Sequence, residues 1–235
     1  MQITTLKIQT GDIHAQQDFY GNTLGLPSQI TDNELRIQIG SSELEFIQDS
    51  AFVGRYHFAF TIPKNQFEAG VHWLEQRTTI ASDANGKTRF ETGEWNADNV
   101  YFYDPQGNIL ELIARHDLDE SNLEHTSRET FGPHSLLHIS EIGLPSPNVL
   151  EMIAWFANSL EVGTYKSFDK NFAPIGDVHG LVIAVPEDRI WFPDTGIPAK
   201  ILPVELTILG ERISTHEIPN TPYIVHVKPR IQEPV

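Results

Sequence analysis

One order of elements recurs along this chain, and that repeat restricts the fold more than any local motif does. In the first round Ile3 to Thr10 alternates as a strand, Gly11-Asp12 opens a helical stretch that runs to Phe19-Tyr20, and Gly21-Asn22-Thr23-Leu24-Gly25-Leu26-Pro27 closes it. Short strands follow near Ser28 to Ile30, Glu34 to Ile39 and Leu44 to Gln48. A second round has a strand at Tyr56 to Ile62, a helix over about Asn65 to Gln76, and strands near Arg89 to Glu91, Val100 to Tyr103 and Ile109 to Ala114. The third has a strand at Leu137 to Leu144, a helix at Val149 to Leu160, and strands near Ser167 to Phe168, Gly180 to Val185 and Val204 to Leu209. One βαβββ unit cannot bury both faces of a curved sheet. Two side by side can, and they form an incomplete barrel whose concave cleft suits a small ligand. The repeat predicts an α+β chain with paired modules at 1–52 and 53–116, the cleft lying within 1–116. A polar, acidic linker at 117–134, a third related module at 135–210 and a proline-rich tail at 211–235, wrapped over the surface, complete it.

Charge then removes whole classes of partner. The chain has 16 Lys+Arg against 32 Asp+Glu, a formal charge of −16. Without a basic run, such a chain repels phosphate backbones and anionic lipid surfaces, so neither nucleic acid nor membrane is an expected partner. Zero cysteines exclude disulfide scaffolds, cysteine-zinc sites and cysteine nucleophiles. Met1-Gln2-Ile3-Thr4-Thr5 lacks a basic head before an apolar stretch, and no apolar run is long enough to span a membrane, so a cytoplasmic location is expected. There is no Gly-x-Ser-x-Gly elbow, phosphate-binding loop, His-Glu-x-x-His helix or dinucleotide fingerprint.

Strand alternation selects candidate site residues. Asp104-Pro105-Gln106-Gly107 has type I turn chemistry and joins two strands. In the second of them, Glu111 stands among Ile109, Leu110, Leu112 and Ile113, where a carboxylate needs a cation, a metal or several donors. His57 shares a face with Arg55, Ala59 and Thr61, opposite Tyr56, Phe58, Phe60 and Ile62, so it should look into the cleft as a possible ligand or as an ordinary hydrogen-bonded histidine. Glu45 sits two residues after Glu43 on the same strand face, which fits a solvated edge as well as a site. Glu141 and Glu205 read as solvated strand carboxylates, with His138 just before them; a second site shared with another subunit is the alternative. Ile190-Trp191-Phe192-Pro193 reads as an apolar seal for the third module or an interface.

Two stretches carry a family likeness. Asp18-Phe19-Tyr20-Gly21-Asn22-Thr23-Leu24-Gly25-Leu26 and Tyr103-Asp104-Pro105-Gln106-Gly107-Asn108-Ile109-Leu110-Glu111-Leu112 resemble the signatures of the vicinal oxygen chelate superfamily, which contains glyoxalase I, bleomycin-resistance proteins, fosfomycin-resistance enzymes and extradiol dioxygenases. The resemblance implies metal ligands on the first and last strands of two paired modules. Carried over, these positions are Thr5, Glu45, His57 and Glu111; Thr5 stands where many members have histidine and can at best hold a water. His57, Glu111 and Glu45 are thus the candidate metal ligands, with Glu45 also a candidate base. One nitrogen and two carboxylates would accept Mn, Fe, Ni or Zn, and being a hard set would also suit Mg or Ca. Tyr101, ten residues before Glu111, matches an extradiol tyrosine that helps to bind a catechol and is a candidate catalytic residue, or else a strand aromatic.

Two functions follow from the resemblance. The first is a divalent-metal-dependent lyase, isomerase or ring-cleaving dioxygenase acting on a small oxygenated molecule. The alternative is a metal-free protein that sequesters a small molecule, as bleomycin-resistance proteins do. An unpaired third module also predicts a homodimer.

Overall fold

The computed structural model describes residues 1–119 and 130–230. Its strands are β1 (Ile3–Thr10), β2 (Ser28–Thr31), β3 (Glu34–Ile39), β4 (Ser42–Gln48), β5 (His57–Thr61), β6 (Arg89–Thr92), β7 (Ala97–Tyr103) and β8 (Ile109–Arg115). They continue with β9 (His138–Ser146), β10 (Ala173–Asp177), β11 (Gly180–Pro186), β12 (Val204–Gly210), β13 (Ser214–Glu217) and β14 (Tyr223–Pro229). The helices are α1 (Ile13–Gln17), extended by a wider turn at Asp18–Thr23, α2 (Phe67–Glu75) and α3 (Val149–Leu160). Asp12 starts α1 by accepting from the His14 and Ala15 amides, both at 3.0 Å, and Asn148 starts α3 in the same way.

The strands form two seven-stranded curled sheets, each a half-barrel, with strand orders β13-β14-β12-β1-β4-β3-β2 and β10-β11-β9-β5-β8-β7-β6. This is the α+β, repeat-built architecture expected, but its pairing differs. Parallel pairs β1/β4, β5/β8, β9/β11 and β12/β14 are the building units. Antiparallel β1–β12 and β5–β9 ladders join them in twos, so the two N-terminal units lie in different sheets. The stretch expected as one third module is likewise divided, because β12 leaves β9, β10 and β11 for the other sheet. The expected strand at Ser167 to Phe168 is replaced by β10, and the expected tail contributes β13 and β14. Pro219, Pro222 and Pro229 sit at strand ends, where a missing amide donor does no harm. Because β9 pairs with β5 within the chain, the third module is not left unpaired, and the ground on which a homodimer was expected falls away. The expected linker falls mostly outside the described residues. No helix among the described residues is long and apolar enough to cross a membrane.

The sheets bury their convex faces in one shared core. Leu6, Ile8, Leu44 and Phe46 from the first meet Phe58, Phe60, Leu110 and Leu112 from the second, and each such side chain contributes about 1.5–3 kcal/mol by leaving water. The two family-like stretches meet beside this core. Tyr20 Oη donates to Asp104 Oδ2 at 3.1 Å, while Asp104 also accepts from the Asn108 amide at 3.0 Å. Asn108 Oδ1 receives the Tyr56 amide at 2.7 Å, and Gln106 Oε1 receives the Gly11 amide at 3.0 Å. The Asp-Pro-Gln-Gly-Asn turn is therefore a clasp between the sheets, and it fixes where β5 and β8 begin.

Candidate metal centre

With Phe58 and Phe60 turned into the core, the period of two in β5 aims His57 at the concave face of the second sheet. Its Nδ1 lies 3.1 Å from the Ile109 carbonyl oxygen, which can only accept, so Nδ1 carries the proton and Nε2 a free lone pair. Nε2 faces Glu111 Oε2 at 3.7 Å. Burial lowers the His57 pKa to about 4, opposed by the Ile109 hydrogen bond and reinforced by the charge of Arg189. The imidazole is neutral at physiological pH, the form that binds metal.

Glu111 reaches the same space from β8. Asn99 Nδ2 donates to its Oε1, and the Tyr101 hydroxyl donates as well. Burial drives its pKa well up and the neighbouring Glu141 carboxylate adds to this, against Asn99, Arg115 and Tyr101. Glu141 comes from β9, where its Oε1 accepts from Arg115 Nη2. Its register partner on β5 is Ala59, which is also opposite Glu111 on β8, so a small side chain lies between two carboxylates. His57, Glu111 and Glu141 are 7, 2 and 3 % exposed, and a ligand atom from each lies within 4.8 Å of the others.

The charges in this space favour a cation. With both carboxylates ionised, this buried site would carry one net negative charge after the Arg115 guanidinium is counted, since its histidine is neutral, and burial works against that state by raising both carboxyl pKa values. Desolvation is then opposed only if protons or a metal enter. A divalent ion fits the donors present: one imidazole nitrogen and two carboxylate groups on three adjacent strands. Arg115 is itself fully buried, its Nε and Nη1 without hydrogen-bond partners, its guanidinium 5.3 Å from the centre of Trp95 and 5.9 Å from that of Tyr165.

Over the centre lies a cavity of about 340 Å³ whose walls include Phe90, Trp95, Tyr101, Phe172, Trp191 and Phe192. The Trp191 ring lies tilted against that of His57, their centres 5.0 Å apart. Gly143 makes this possible, since a Cβ there would come within 2.5 Å of the indole. The apolar cluster at 190–193 is thus part of the roof of the site.

Of the candidates, His57, Glu111 and Tyr101 come together, and Glu45 does not. It stands on β4 of the first sheet, with Arg36 Nε 3.6 Å away, and Thr5 is on β1 beside it. Because β5 pairs with β9, the second carboxylate of the cluster is Glu141 and not Glu45. The signal for it was its place on a first strand with apolar neighbours on both sides; what concealed it was not knowing which strand lay beside β5.

No protein-family model matches the sequence, and a comparison with curated proteins finds no match. Among solved structures, a Bacillus subtilis subsp. subtilis str. 168 protein to which a dioxygenase activity is ascribed superposes with a TM-score of 0.64 at 13% identity, covering 99% of this chain and 86% of its own. A point mutant of glyoxalase I from Zea mays superposes with a TM-score of 0.55 at 13% identity, covering 96% of this chain and 91% of its own. These superpositions, with two curled sheets of seven strands, show that this chain has a glyoxalase-type fold.

Proposed function

We propose that this protein is a divalent-metal-dependent enzyme of the glyoxalase or dioxygenase type, acting on a small oxygenated molecule held over His57, Glu111 and Glu141. The observation that carries this reading is the convergence of three buried ligand atoms within 4.8 Å at the floor of an aromatic-walled cavity. A bound divalent ion supplies Lewis acidity toward substrate oxygens. His57 offers Nε2, its tautomer set by Ile109. Asn99 and Tyr101 orient Glu111, and Arg115 orients Glu141 by pairing with one of its oxygens, which opposes the upward push of burial on its pKa. Trp191 and Phe192 keep bulk water from the floor, which strengthens every charge interaction there. Tyr101 brings its hydroxyl to the cavity wall, where, with its proton on Glu111, the oxygen can accept from a substrate hydroxyl. The donor set is hard, which favours Mn or Fe over ions that prefer several nitrogens.

Elemental analysis of protein purified without chelator tests this. Close to one divalent ion per chain is expected, with loss of the ion in His57→Ala and a fall in melting temperature on chelation. Metal-free protein whose melting temperature ignores added Mn, Fe, Ni and Zn would refute it. One observation favours a second reading, a metal-free binding protein: Arg115 already neutralises Glu141. The same elemental analysis decides between them.

A further inference from the structure

The roof segment places a second chemical feature opposite the carboxylates. Arg189 lines the cavity, and its guanidinium lies 5.2 Å from the centre of the Phe172 ring. Its side chain makes no hydrogen bond to the described residues, and none of their carboxylates comes within 4 Å of it. Asp169 acts on it only at longer range. Elsewhere Lys7, Arg36, Arg89, Arg115, Lys166 and Lys200 each pair with a carboxylate. In a chain with 32 acidic residues and 16 basic ones, an unpaired, half-buried guanidinium is an exception that calls for an anion. Lys87 stands on the same cavity with its ammonium 5.5 Å from the Phe90 ring and no carboxylate partner among the described residues.

The backbone holds Arg189 in place. Ala199 donates to the Arg189 carbonyl at 2.8 Å, Asp188 to Ala199 at 2.8 Å and Trp191 to Ile197 at 3.0 Å, which makes a short pinned loop. A guanidinium fixed in this way presents a planar fork that matches a carboxylate. Around it the walls are rings: Phe90, Tyr101, Phe172, Trp191 and Phe192. The volume of about 340 Å³ is that of about eleven waters at ~30 Å³ each, room for one substituted ring.

We infer that the ligand of this cavity is a single-ring aromatic carboxylate, its carboxylate on Arg189, its ring between the aromatic walls and its remaining oxygens toward His57, Glu111 and Glu141. The inference rests on the metal-centre reading for the orientation of the ligand, while the recognition of the carboxylate stands on Arg189 alone. Lys87, at the mouth, draws the anion in against the overall negative charge.

Calorimetric titration with 3,4-dihydroxybenzoate and its neutral isostere 3,4-dihydroxybenzamide tests this, on metal-loaded protein and on chelator-stripped protein. The acid should bind at least tenfold more tightly than the amide in both forms. Arg189→Met should bring the acid to the level of the amide, leave the amide and the metal content unchanged, and be partly rescued by Arg189→Lys. Lys87→Met should give a smaller loss that fades with added salt. Equal affinity for acid and amide, or an acid affinity unchanged in a folded Arg189→Met, overturns the inference. An acid preference that persists in a protein taking up no metal keeps Arg189 as the anion anchor and removes only the metal centre; metal uptake without an acid preference does the reverse.

Discussion

Lys7 on the first sheet faces Glu45 on one neighbouring strand and Glu205 on the other, just as Ala59 on the second sheet faces Glu111 and Glu141. Thr5, two residues before Lys7, stands where His57 stands before Ala59. The two concave faces thus share one plan and differ in what fills and covers it. On the first, a lysine occupies the position between the carboxylates: Lys7 Nζ is 3.7 Å from Glu205 Oε1, Arg36 Nε is 3.6 Å from Glu45, and His226 Nε2 is 3.5 Å from Glu205. The Glu205 side chain is 42 % exposed. On the second, alanine leaves the space open and the 187–199 loop, Trp95, Tyr165 and Phe172 cover it. An equivalent strand register gives a partly exposed ion-pair network where cations are built in, and a buried carboxylate pocket where they are not. A carboxylate at the right strand position is therefore insufficient for a site; the neighbour across the ladder and the roof decide.

Exchanging features between the faces should break this contrast in a graded way. Glu111→Gln should lower metal affinity by more than the ~10–100-fold that loss of an outer-shell partner brings, while Glu45→Gln and Glu205→Gln leave it unchanged, as read by Mn(II) titration. Arg115→Met strips the buried Glu141 of its partner and should cost about 3–5 kcal/mol in metal-free protein. Lys7→Met on the exposed face should cost less than about 1 kcal/mol, both measured by urea unfolding. Gly143→Ala pushes on Trp191 and should cost about 1–3 kcal/mol, with a red shift of tryptophan emission as the roof loosens.

The smallest effects are pH-dependent and opposite in sign. Burial, helped by the charges of His179 and Arg115, holds the His138 pKa at about 4, below its ordinary value. Its contribution to stability is therefore present above about pH 6.5 and lost as pH falls through 4. Burial, a hydrogen bond that protonated Glu45 donates to Glu43 and the charge of Glu34 raise Glu45 to about 7, against Arg36. Its contribution is present below its ordinary value and lost as pH rises through 7. His138→Asn should flatten the acid side of the stability profile, and Glu45→Gln the neutral-to-alkaline side.

Much of this was legible from local rules. Period-two alternation turned His57 toward the cleft and set Glu111 on a strand apolar on both sides, the family likeness added Tyr101, and turn chemistry located the hairpin before Glu111. What failed was long-range. Nothing local states that β5 pairs with β9, so the third candidate ligand was sought on β4, and Glu141 was read as a solvated strand carboxylate. Prolines around β13 and β14 concealed two short strands, and Pro174 and Gly176 did the same for β10. The roof escaped because Trp191 becomes part of the site only after the 187–199 loop folds back over a distant strand.

The most direct test is an anomalous difference map from crystals grown with Mn(II). One strong peak should lie within coordination distance of His57 Nε2 and the carboxylates of Glu111 and Glu141, and vanish in Glu141→Gln. No peak there, or a peak beside Glu45 and Glu205 on the first sheet instead, would contradict the account.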